Sequence, residues 1–410
     1  MPYSPFTHKH IVLGVTGSIA AYKTADLASK LTQAGALVDV ILTESASRFV
    51  TPLTFQAVTG RPVYTDLWAE QGHIRHVALG EKADLLVIAP ATAHTIAKLA
   101  HGLADNLLTV TTLATRGPVL VAPAMDGGMF AHPATQANIQ RLKAQGVTII
   151  GPAEGRMASG LVGLGRMVEP AELLAHIRLA LARDGVLRGR KFIITAGPTQ
   201  EPLDPVRYLT NYSSGKQGVA LAQAALDAGA DVTLIAGPLQ VAIPQGIQHI
   251  PVQTAEQMKD AVLSAIQDAD ALLMAAAVAD FRPATRAEQK IKKTEQGSDM
   301  VVELTRNPDI LAAVKAQREQ TARPRLVLGF AAETQDVLAY GQDKLVRKGL
   351  DFIAVNDVSR TDAGFATDTN EIILLGRTGI ITKYALQDKA DIAVRIVAHL
   401  AEVLTENSTP

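Results

Sequence analysis

The chain of 410 residues contains no cysteine, which excludes a disulfide framework, a thiolate metal site and a cysteine nucleophile. It also has no excess of charge of one sign: 39 Lys and Arg stand against 40 Asp and Glu, a formal net charge of -1. This balance gives no reason to predict binding to nucleic acid or to an anionic membrane. No apolar run approaches the roughly 20 residues that a membrane-spanning helix needs. These absences predict a soluble, cytoplasmic protein whose partners are neither nucleic acid nor membranes.

Two segments, one in each half, repeat the same order of apolar run, glycine turn, helical stretch and second apolar run. They cover residues 10–42 and 191–235. Shorter apolar runs without alternation, such as 85–89, 119–122 and 271–274, are typical of strands that helices cover on both faces. At about 100 to 200 residues per domain, we predict an α/β protein with two Rossmann-like domains, each a mainly parallel sheet covered by helices.

The first apolar run enters the turn 14–18, Gly-Val-Thr-Gly-Ser, and then a helical stretch. Backbone N–H groups at a helix N-terminus favour phosphate, and small residues let it approach. The turn lacks the full G-x-G-x-x-G fingerprint of dinucleotide sites, so a mononucleotide such as FMN fits better than NAD. A tight turn that binds nothing is the alternative.

Two further features of the first half indicate a reaction site. His73 and His76 lie shortly before the apolar run 85–89, and each is either an acid–base group or a surface or cap residue. The stretch 155–167 holds four glycines, which argues against a stable helix. We interpret it as a mobile flap over a site.

In the second half, polar residues follow apolar runs. Residues 211–218 bring hydroxyls, glycines and a lysine to a helix start, which predicts an anion site or a simple Ser-rich cap, and they do not form a Walker A motif. Asp280 lies just past the run 271–274, where ligands bind in open α/β sheets. Lys290 belongs to a basic run that is either solvated or in contact with phosphate. Alone, these features predict an unspecified nucleotide-binding domain.

A set of motifs in the first half resembles flavin-dependent cysteine decarboxylases. Nearly the whole chain is similar to the bacterial bifunctional phosphopantothenoylcysteine decarboxylases / phosphopantothenate-cysteine ligases of coenzyme A biosynthesis. Each motif alone is weak, and their combination is specific. The motifs in the first half are 14–23, 49–53, 83–84 with 89–93, 123–125 and 165–167.

The resemblance implies a bifunctional enzyme and its domains. A flavodoxin-like, FMN-dependent decarboxylase domain over 1–184 is expected to precede a linker at 185–190, a CTP-dependent ligase domain over 191–405 and a frayed tail at 406–410. The ligase joins 4'-phosphopantothenate to L-cysteine through an acyl-cytidylate, and the decarboxylase converts phosphopantothenoylcysteine to 4'-phosphopantetheine. The family also implies a homo-oligomer.

For the decarboxylase, the resemblance implies FMN seated on Gly17 and Ser18 with Thr43 and Thr92 nearby. The family's catalytic histidine matches His76, by its register to Asp84, and not His73. In the family, FMN oxidises the cysteinyl thiol, the thioaldehyde loses carbon dioxide, and the resulting ene-thiolate is reprotonated and reduced. A flap cysteine is the usual proton donor of the last step.

The chain departs from the decarboxylase pattern at two positions. Asp126 stands where the family usually has Asn, and Ser159 where it has the flap cysteine. A hydroxyl is far less acidic than a thiol with a pKa of roughly 8.5, so a protonated Asp126 is a possible substitute donor. Alternatively, the first half is a flavin-binding scaffold with impaired decarboxylation. An NAD-type oxidoreductase is a third hypothesis.

For the ligase, the resemblance implies that Asn211 and the turn Ser213, Ser214, Gly215 hold phosphopantothenate and its activated form. Asp280 is expected to place CTP and Mg²⁺, as the metal residue, and Lys290 to stabilise the acyl-cytidylate. The residues expected around CTP are Pro308, Asp309, Ile310, Leu311 and Phe330 near the cytidine, and Lys344 and Lys348 on the triphosphate.

Overall fold

The computed structural model describes residues 4–68, 75–157, 160–292, 300–333, 337–357, 367–377 and 379–406. The chain divides into two compact units, which we call the N-terminal unit, 4–182, and the C-terminal unit, 183–410. Each unit has its own sheet and its own core, as the sequence predicts. None of the helices in the described ranges is long and apolar enough to cross a membrane.

The N-terminal unit alternates strands and helices along the chain. Its strands are β1 (His10–Val15), β2 (Leu37–Leu42), β3 (Val63–Tyr64), β4 (Leu85–Ala91), β5 (Val119–Pro123), β6 (Thr148–Ile149), β7 (Ala153–Arg156) and β8 (Val162–Arg166). Its helices are α1 (Ala21–Gln33), α2 (Pro52–Thr59), α3 (Arg75–Lys82), α4 (Ala93–His101), α5 (Leu107–Ala114), α6 (Gly127–Ala131), α7 (Pro133–Ala144) and α8 (Pro170–Ala182).

Strands β1 to β6 form one parallel sheet in the order β3-β2-β1-β4-β5-β6. This is the Rossmann order, so the predicted Rossmann-like fold is confirmed. The likeness to flavodoxins lies in the helix-covered layers, because the flavodoxin strand order is 2-1-3-4-5. Alternate residues of β1 enter two apolar clusters: Ile11 and Leu13 pack on one face and Val12 on the other. A sheet buried on both faces explains the apolar runs without alternation.

The described residues of the glycine-dense stretch 155–167 form no helix, as predicted. Strands β7 and β8 pair antiparallel as a separate hairpin, from Ala153 with Arg166 to Arg156 with Val162. We call these two strands and the residues between them the flap hairpin.

The C-terminal unit begins with residues 183–190. Leu187 is fully buried, and its N–H donates to the Ala228 carbonyl at 2.8 Å. A Cβ on Gly185 would lie 2.2 Å from the same carbonyl oxygen. The predicted linker at 185–190 therefore packs on the C-terminal unit.

The strands of this unit are β9 (Lys191–Ala196), β10 (Gln200–Pro202), β11 (Tyr208–Thr210), β12 (Asp231–Ala236), β13 (Gln248–Pro251), β14 (Ala271–Met274), β15 (Phe281–Pro283), β16 (Leu304–Arg306), β17 (Leu326–Glu333), β18 (Phe352–Asp357), β19 (Thr369–Gly376) and β20 (Gly379–Asp388). Its helices are α9 (Lys216–Asp227), α10 (Ala255–Ala265), α11 (Ile310–Thr321), α12 (Val337–Arg347) and α13 (Lys389–Glu406). Glu406 is helical, and the rest of the predicted tail, 407–410, lies outside the described residues.

The main sheet has the order β13-β12-β9-β14-β17-β18-β19-β20, in which β13 to β18 are parallel and β19 and β20 antiparallel. The mainly parallel sheet is confirmed, and the antiparallel end is an addition that the sequence analysis did not foresee. Helices α10, α11 and α12 cover one face, through residues such as Val262, Val314 and Leu345. Helices α9 and α13 cover the other face and pack against each other.

Candidate active sites

The glycine turn of the N-terminal unit lies at the carboxyl edge of its sheet. There β1 and β4 are neighbours, and the strand order reverses between them. The buried Thr16 hydroxyl donates to the Pro90 carbonyl at 2.8 Å and accepts from the Thr92 N–H at 3.1 Å. Thr16 therefore joins the two strand ends at the switch point where open α/β sheets bind ligands.

Small residues and backbone groups form the floor of this edge. A Cβ on Gly17 would lie 2.4 Å from the Cβ of Ser45, so a larger residue does not fit. The Thr43 N–H donates to the Val15 carbonyl at 3.0 Å, which fixes the end of β2 beside the turn. No side chain caps the N-terminus of α1, whose first turn faces this edge and can receive an anion.

The structure therefore brings the predicted flavin residues to one edge of one sheet. These residues are Gly17, Ser18, Thr43 and Thr92. The small residues, the hydroxyls and the uncapped helix N-terminus suit the phosphate of a mononucleotide.

His76 is the second residue of α3 and is half-buried. Helix α3 follows β3 along the chain and runs back toward the start of β4, so it begins at the carboxyl edge of the sheet. The Arg75 guanidinium stacks over Tyr64, the last residue of β3, at 5.1 Å from the ring centroid. The topology thus puts His76 at the same edge as the glycine turn. His73 lies outside the described residues.

The flap hairpin packs on the segment that contains Asp126. The Met125 N–H donates to the Gly165 carbonyl at 3.0 Å, and the Gly127 N–H contacts the Met157 sulfur at 3.2 Å. A Cβ on Gly165 would lie 2.3 Å from the Met125 carbonyl oxygen, so this close approach needs glycine. The two segments that carry the departures from the family pattern are therefore in contact. Ser159 itself lies outside the described residues.

Asp126 is half-buried and caps the short helix α6. Its Oδ1 accepts a hydrogen bond from the Gly128 N–H at 3.0 Å. This contact holds the carboxyl group at the start of α6, beside the segment on which the flap hairpin packs.

The sequence analysis gave no role to Lys23, which is 9% exposed on the inner side of α1. Its Nζ lies 2.6 Å from Glu169 Oε1 and 3.4 Å from the Met167 carbonyl. These contacts tie the helix that follows the glycine turn to the end of the flap hairpin. A lysine among the apolar positions of an amphipathic helix was the available signal.

The C-terminal unit has a cavity of about 1050 Å³ at the carboxyl edge of its sheet. It gathers nearly all the ligase residues expected from the sequence. Those that line it are Asn211, Ser213, Ser214, Gly215, Asp280, Pro308, Asp309, Ile310, Leu311, Phe330, Lys344 and Lys348.

Two hydrogen bonds hold the segment 275–280, which follows β14 and ends at Asp280. The Ala279 N–H donates to the hydroxyl of the fully buried Thr199 at 3.0 Å. Asn211 donates from Nδ2 to the Val278 carbonyl at 3.1 Å. Both partners come from the connection between β9 and α9. This connection therefore fixes the Asp280 segment relative to the start of α9.

At the opposite wall, Asp309 caps α11 by accepting from the Ala312 N–H at 3.1 Å, and it forms an ion pair with Lys348. Burial alone would raise the pKa of Asp309, but the Lys348 ammonium and the Ala312 N–H hold it below its usual value. The carboxylate is therefore ionised and accounts for one lysine charge. Lys344 lies one turn before Lys348, whose N–H donates to the Lys344 carbonyl at 2.9 Å.

Lys290 is exposed and does not belong to the residues that line the cavity. Its loop is attached to the connection between β10 and β11. Asp204 accepts from the Ile291 N–H at 3.2 Å, and Arg207 donates to the Ile291 carbonyl at 3.0 Å. The Arg207 guanidinium holds the pKa of Asp204 well below its usual range. Residues 293–299, which follow, lie outside the described residues, and the role of Lys290 stays a prediction.

Sequence reasoning included Lys216 and Gln217 in the anion site predicted at 211–218, but it missed Asn356, Asn370 and Lys389, which line the cavity with them. Lys216 forms an ion pair with Asp368 at 2.7 Å. Burial lowers the pKa of Lys389, as does the Lys216 charge, while Asp368 opposes them. Asn370 and Lys389 belong to the antiparallel strands and the last helix, whose place in the sheet the sequence did not reveal.

Within the described ranges, no group of three or more His, Asp or Glu residues is arranged to hold a metal ion. Asp280 and Asp309 are the carboxylates among the residues that line the cavity, and Asp309 is paired with Lys348. Mg²⁺ commonly binds through one or two carboxylates together with substrate phosphates. The donor set therefore fits an ion that arrives with a nucleotide.

Two protein-family models match this chain, one in each half. The Flavoprotein family model matches residues 2–181, and the DNA/pantothenate metabolism flavoprotein C-terminal domain model matches residues 187–404. A crystal structure of the C-terminal domain of a coenzyme A biosynthesis bifunctional protein CoaBC is 33% identical, covers 54% of this chain and 100% of its own, and has a TM-score of 0.45.

Curated relatives match nearly the full length. The coenzyme A biosynthesis bifunctional protein CoaBC of Vibrio cholerae is 48% identical over 373 residues, which are 90% of this chain and 92% of the relative. The CoaBC protein of Mycobacterium bovis is 47% identical over 402 residues, 95% of each chain. The chain therefore belongs to the CoaBC family and is a bifunctional enzyme of coenzyme A biosynthesis, a phosphopantothenoylcysteine decarboxylase joined to a phosphopantothenate-cysteine ligase.

Proposed function

We propose that the C-terminal unit joins 4'-phosphopantothenate to L-cysteine with CTP and Mg²⁺, and that the N-terminal unit decarboxylates the product with FMN. The observation that carries the proposal is the convergence of Asn211, Asp280, Asp309, Lys344 and Lys348 on one cavity. This cavity joins carboxylate, amide and lysine groups that suit a nucleotide, its metal and an acyl substrate.

The ligase chemistry follows from the weak electrophilicity of a carboxylate. The substrate carboxylate attacks the α-phosphate of CTP, and pyrophosphate leaves. The cysteine amine then attacks the acyl carbon of the mixed anhydride, so that the amide forms and CMP leaves. Lysines and Mg²⁺ offset the charge that builds up on the phosphates.

We assign the residues of the cavity by their chemistry. Asp280 takes Mg²⁺ together with the triphosphate, and Lys344 and Lys348 bind the triphosphate oxygens. Pro308, Asp309, Ile310, Leu311 and Phe330 enclose the cytidine. Asn211 and the turn of Ser213, Ser214 and Gly215 hold the acyl substrate. Lys290 is assigned to the acyl-cytidylate, which requires its exposed side chain to reach the cavity during the reaction.

In the N-terminal unit, Gly17, Ser18, Thr43 and Thr92 would hold FMN. When bound, FMN supplies the redox chemistry by accepting two electrons from the cysteinyl thiol and returning them to the decarboxylated product. The uncapped start of α1 favours its phosphate. Thr16 keeps the two strand ends at a fixed separation beside the glycine turn.

His76 is assigned to proton transfer or positioning at the reacting cysteinyl group. The flap hairpin encloses the substrate and limits the access of water. Asp126 and Ser159 are the two groups available for the final proton at the positions where the family has Asn and Cys. We propose Asp126 as the donor.

The proposal includes a cytoplasmic setting and a homo-oligomer with small-molecule substrates. The match of relatives along the whole chain does not favour the hypothesis of an impaired flavin scaffold. It also leaves no reason to retain an NAD-type oxidoreductase.

The test is turnover of 4'-phosphopantothenate, L-cysteine and CTP, with Mg²⁺ or a chelator, followed by mass analysis. We expect 4'-phosphopantetheine, carbon dioxide, CMP and pyrophosphate, and FMN on denaturation of the purified protein. Equal turnover with the chelator would overturn the metal assignment. Release of FAD or NAD in place of FMN would overturn the cofactor assignment.

A further inference from the structure

The Asp204 side chain lies in the connection between β9 and α9 and does not line the ligase cavity. It is fully buried, although carboxylates are almost never fully buried unless they are paired. Its Oδ1 accepts from the backbone N–H groups of Val206 and Arg207, each at 2.8 Å. These two contacts form a local turn, which an asparagine at this position would form equally well.

The second oxygen of Asp204 reaches a different part of the chain. Its Oδ2 accepts from Arg207 Nε at 3.0 Å and from the Ile291 N–H at 3.2 Å. The Arg207 guanidinium also donates to the Ile291 carbonyl at 3.0 Å. The two side chains, which we call the loop clamp, therefore hold both backbone groups of Ile291.

The loop clamp fixes the backbone next to Lys290, which directly precedes Ile291. Three residues before Lys290, the Ala287 N–H donates to the Leu203 carbonyl at 3.0 Å. The segment 287–291 is thus attached to the turn 203–207 on both sides of Lys290. Because the Lys290 side chain is exposed, these contacts constrain its backbone and leave its ammonium group accessible.

The connection that carries the turn 203–207 also holds the segment that ends at Asp280. The antiparallel pairing of β10 with β11 joins this turn to Asn211, which donates to the Val278 carbonyl at 3.1 Å. One connection therefore determines how far the backbone of Lys290 lies from the Asp280 segment.

We propose that Asp204 is a positioning residue of the ligase, which acts through Arg207 and Ile291 to hold Lys290 within reach of the acyl-cytidylate. The inference rests on the proposed role of Lys290. The Arg207 guanidinium and the backbone N–H groups hold the pKa of Asp204 well below its usual range, so the loop clamp remains charged at neutral pH. A misplacement of about 1 Å at a reacting group can lower a rate ~100-fold.

The experiment is a double-mutant cycle on the full-length chain, with Asp204→Asn and Lys290→Gln. The variant Asp204→Asn keeps the local turn through its side-chain oxygen. Its amide N–H₂ group cannot accept from Arg207 or Ile291, so the substitution opens the loop clamp selectively. For the parent, both single variants and the double variant, kcat and KM are measured for amide formation from 4'-phosphopantothenate, CTP and cysteine.

Two further variants complete the experiment. Asp268→Asn is the matched control, because Asp268 is exposed, pairs with Lys191 and does not line the cavity. Arg207→Lys opens the loop clamp in a second way and serves where Asp204→Asn does not fold. It keeps a positive charge beside the buried carboxylate, but an ammonium group lacks the planar fork that bonds Asp204 and Ile291 together.

We expect Asp204→Asn and Arg207→Lys to lower kcat about 10- to 100-fold, the effect of a misplaced reacting group. KM for CTP should remain as in Asp268→Asn. In the Lys290→Gln background, Asp204→Asn should cause no further loss, because the group that it positions is already absent.

Equal fold losses from Asp204→Asn in both backgrounds would indicate a general structural role and overturn the proposal. A parental kcat in Asp204→Asn would also overturn it. So would parental amide formation in Lys290→Gln, since the loop clamp would then position no reacting group. A parent enzyme that forms no amide would instead refute the proposed ligase function.

Discussion

The two units begin with the same element and use it differently. In the N-terminal unit, residues 16–20 alone connect β1 to α1, whereas in the C-terminal unit residues 197–215 connect β9 to α9 and include β10 and β11. The short connection offers backbone N–H groups and small side chains. The long one adds the Asn211 amide, the Thr199 hydroxyl and room for a cavity.

This difference determines how each site is completed. The C-terminal unit builds its site from its own strand ends, and one connection fixes the Asp280 segment. The N-terminal unit has a compact glycine turn, and in our proposal it takes its reacting groups from α3, from the cap of α6 and from the flap hairpin. We therefore expect the substitutions that impair the ligase to lie among the residues that line one cavity or that hold its walls and the Lys290 loop in place. The decarboxylase should also be sensitive in the flap hairpin, which is separate from the main sheet of its unit.

The largest expected effect is that of His76→Ala on decarboxylation. Loss of an acid–base group typically lowers a rate by about 10²- to 10⁴-fold, and amide formation should be unaffected because the ligase cavity lies in the other unit. Single-turnover release of carbon dioxide from phosphopantothenoylcysteine measures it. His73→Ala is the matched control, and equal losses in both variants would refute the assignment.

Lys290→Gln tests whether a residue outside the cavity wall serves the ligase. If Lys290 reaches the acyl-cytidylate, its loss should lower amide formation by about 10²- to 10³-fold, the magnitude of a lost oxyanion donor. Lys292→Gln, an exposed neighbour in the same basic run, is the control. Unchanged amide formation in Lys290→Gln would leave the cavity as the whole ligase site.

Asp126→Asn and Ser159→Cys test the proton donor of the decarboxylase. If Asp126 supplies the final proton, Asp126→Asn should accumulate an oxidised ene-thiol product, detected by its mass. Ser159→Cys should be neutral or faster, and the double variant should turn over normally because it restores the family pair. The parent rate in Asp126→Asn alone would show that the donor lies elsewhere.

The smallest effects should come from the two threonines that fix the strand ends. Thr16→Val leaves the Thr92 N–H and the Pro90 carbonyl unpaired and should weaken FMN binding by about 1 to 3 kcal/mol. Thr199→Val leaves the Ala279 N–H unpaired and should raise KM for CTP by a comparable free energy. FMN titration and ligase kinetics on both variants measure the effects. Each variant is the control for the other. A raised KM for CTP in Thr16→Val, or weaker FMN binding in Thr199→Val, would contradict the expectation that the two sites are independent.

Particular residues show how far the sequence predicts the fold and the sites. The apolar runs that became β1, β4, β5 and β14 were recognisable because a parallel sheet buries both faces of its strands. Asp280 was recognisable because it comes a few residues after the apolar run 271–274, which is a local signal. Asp309 was identified through the family resemblance.

The missed residues depend on long-range pairing. Asn370 and Lys389 enter the cavity because β19 and β20 pair antiparallel at the end of the sheet, which returns the chain to the carboxyl edge at α13. Lys23 meets Glu169 across 146 positions of sequence. No local spacing encodes such contacts, so propensity and periodicity cannot reveal them.

The most direct test of two separate sites is to mix two variants, His76→Ala and Asp280→Asn, each without the chemistry of one unit. Either variant alone, with 4'-phosphopantothenate, CTP and cysteine, should yield little 4'-phosphopantetheine, and His76→Ala should accumulate phosphopantothenoylcysteine. Their mixture should restore the complete conversion, because the product of one site diffuses to the other. Full conversion by either variant alone, or a mixture that accumulates phosphopantothenoylcysteine without consuming it, would contradict the account.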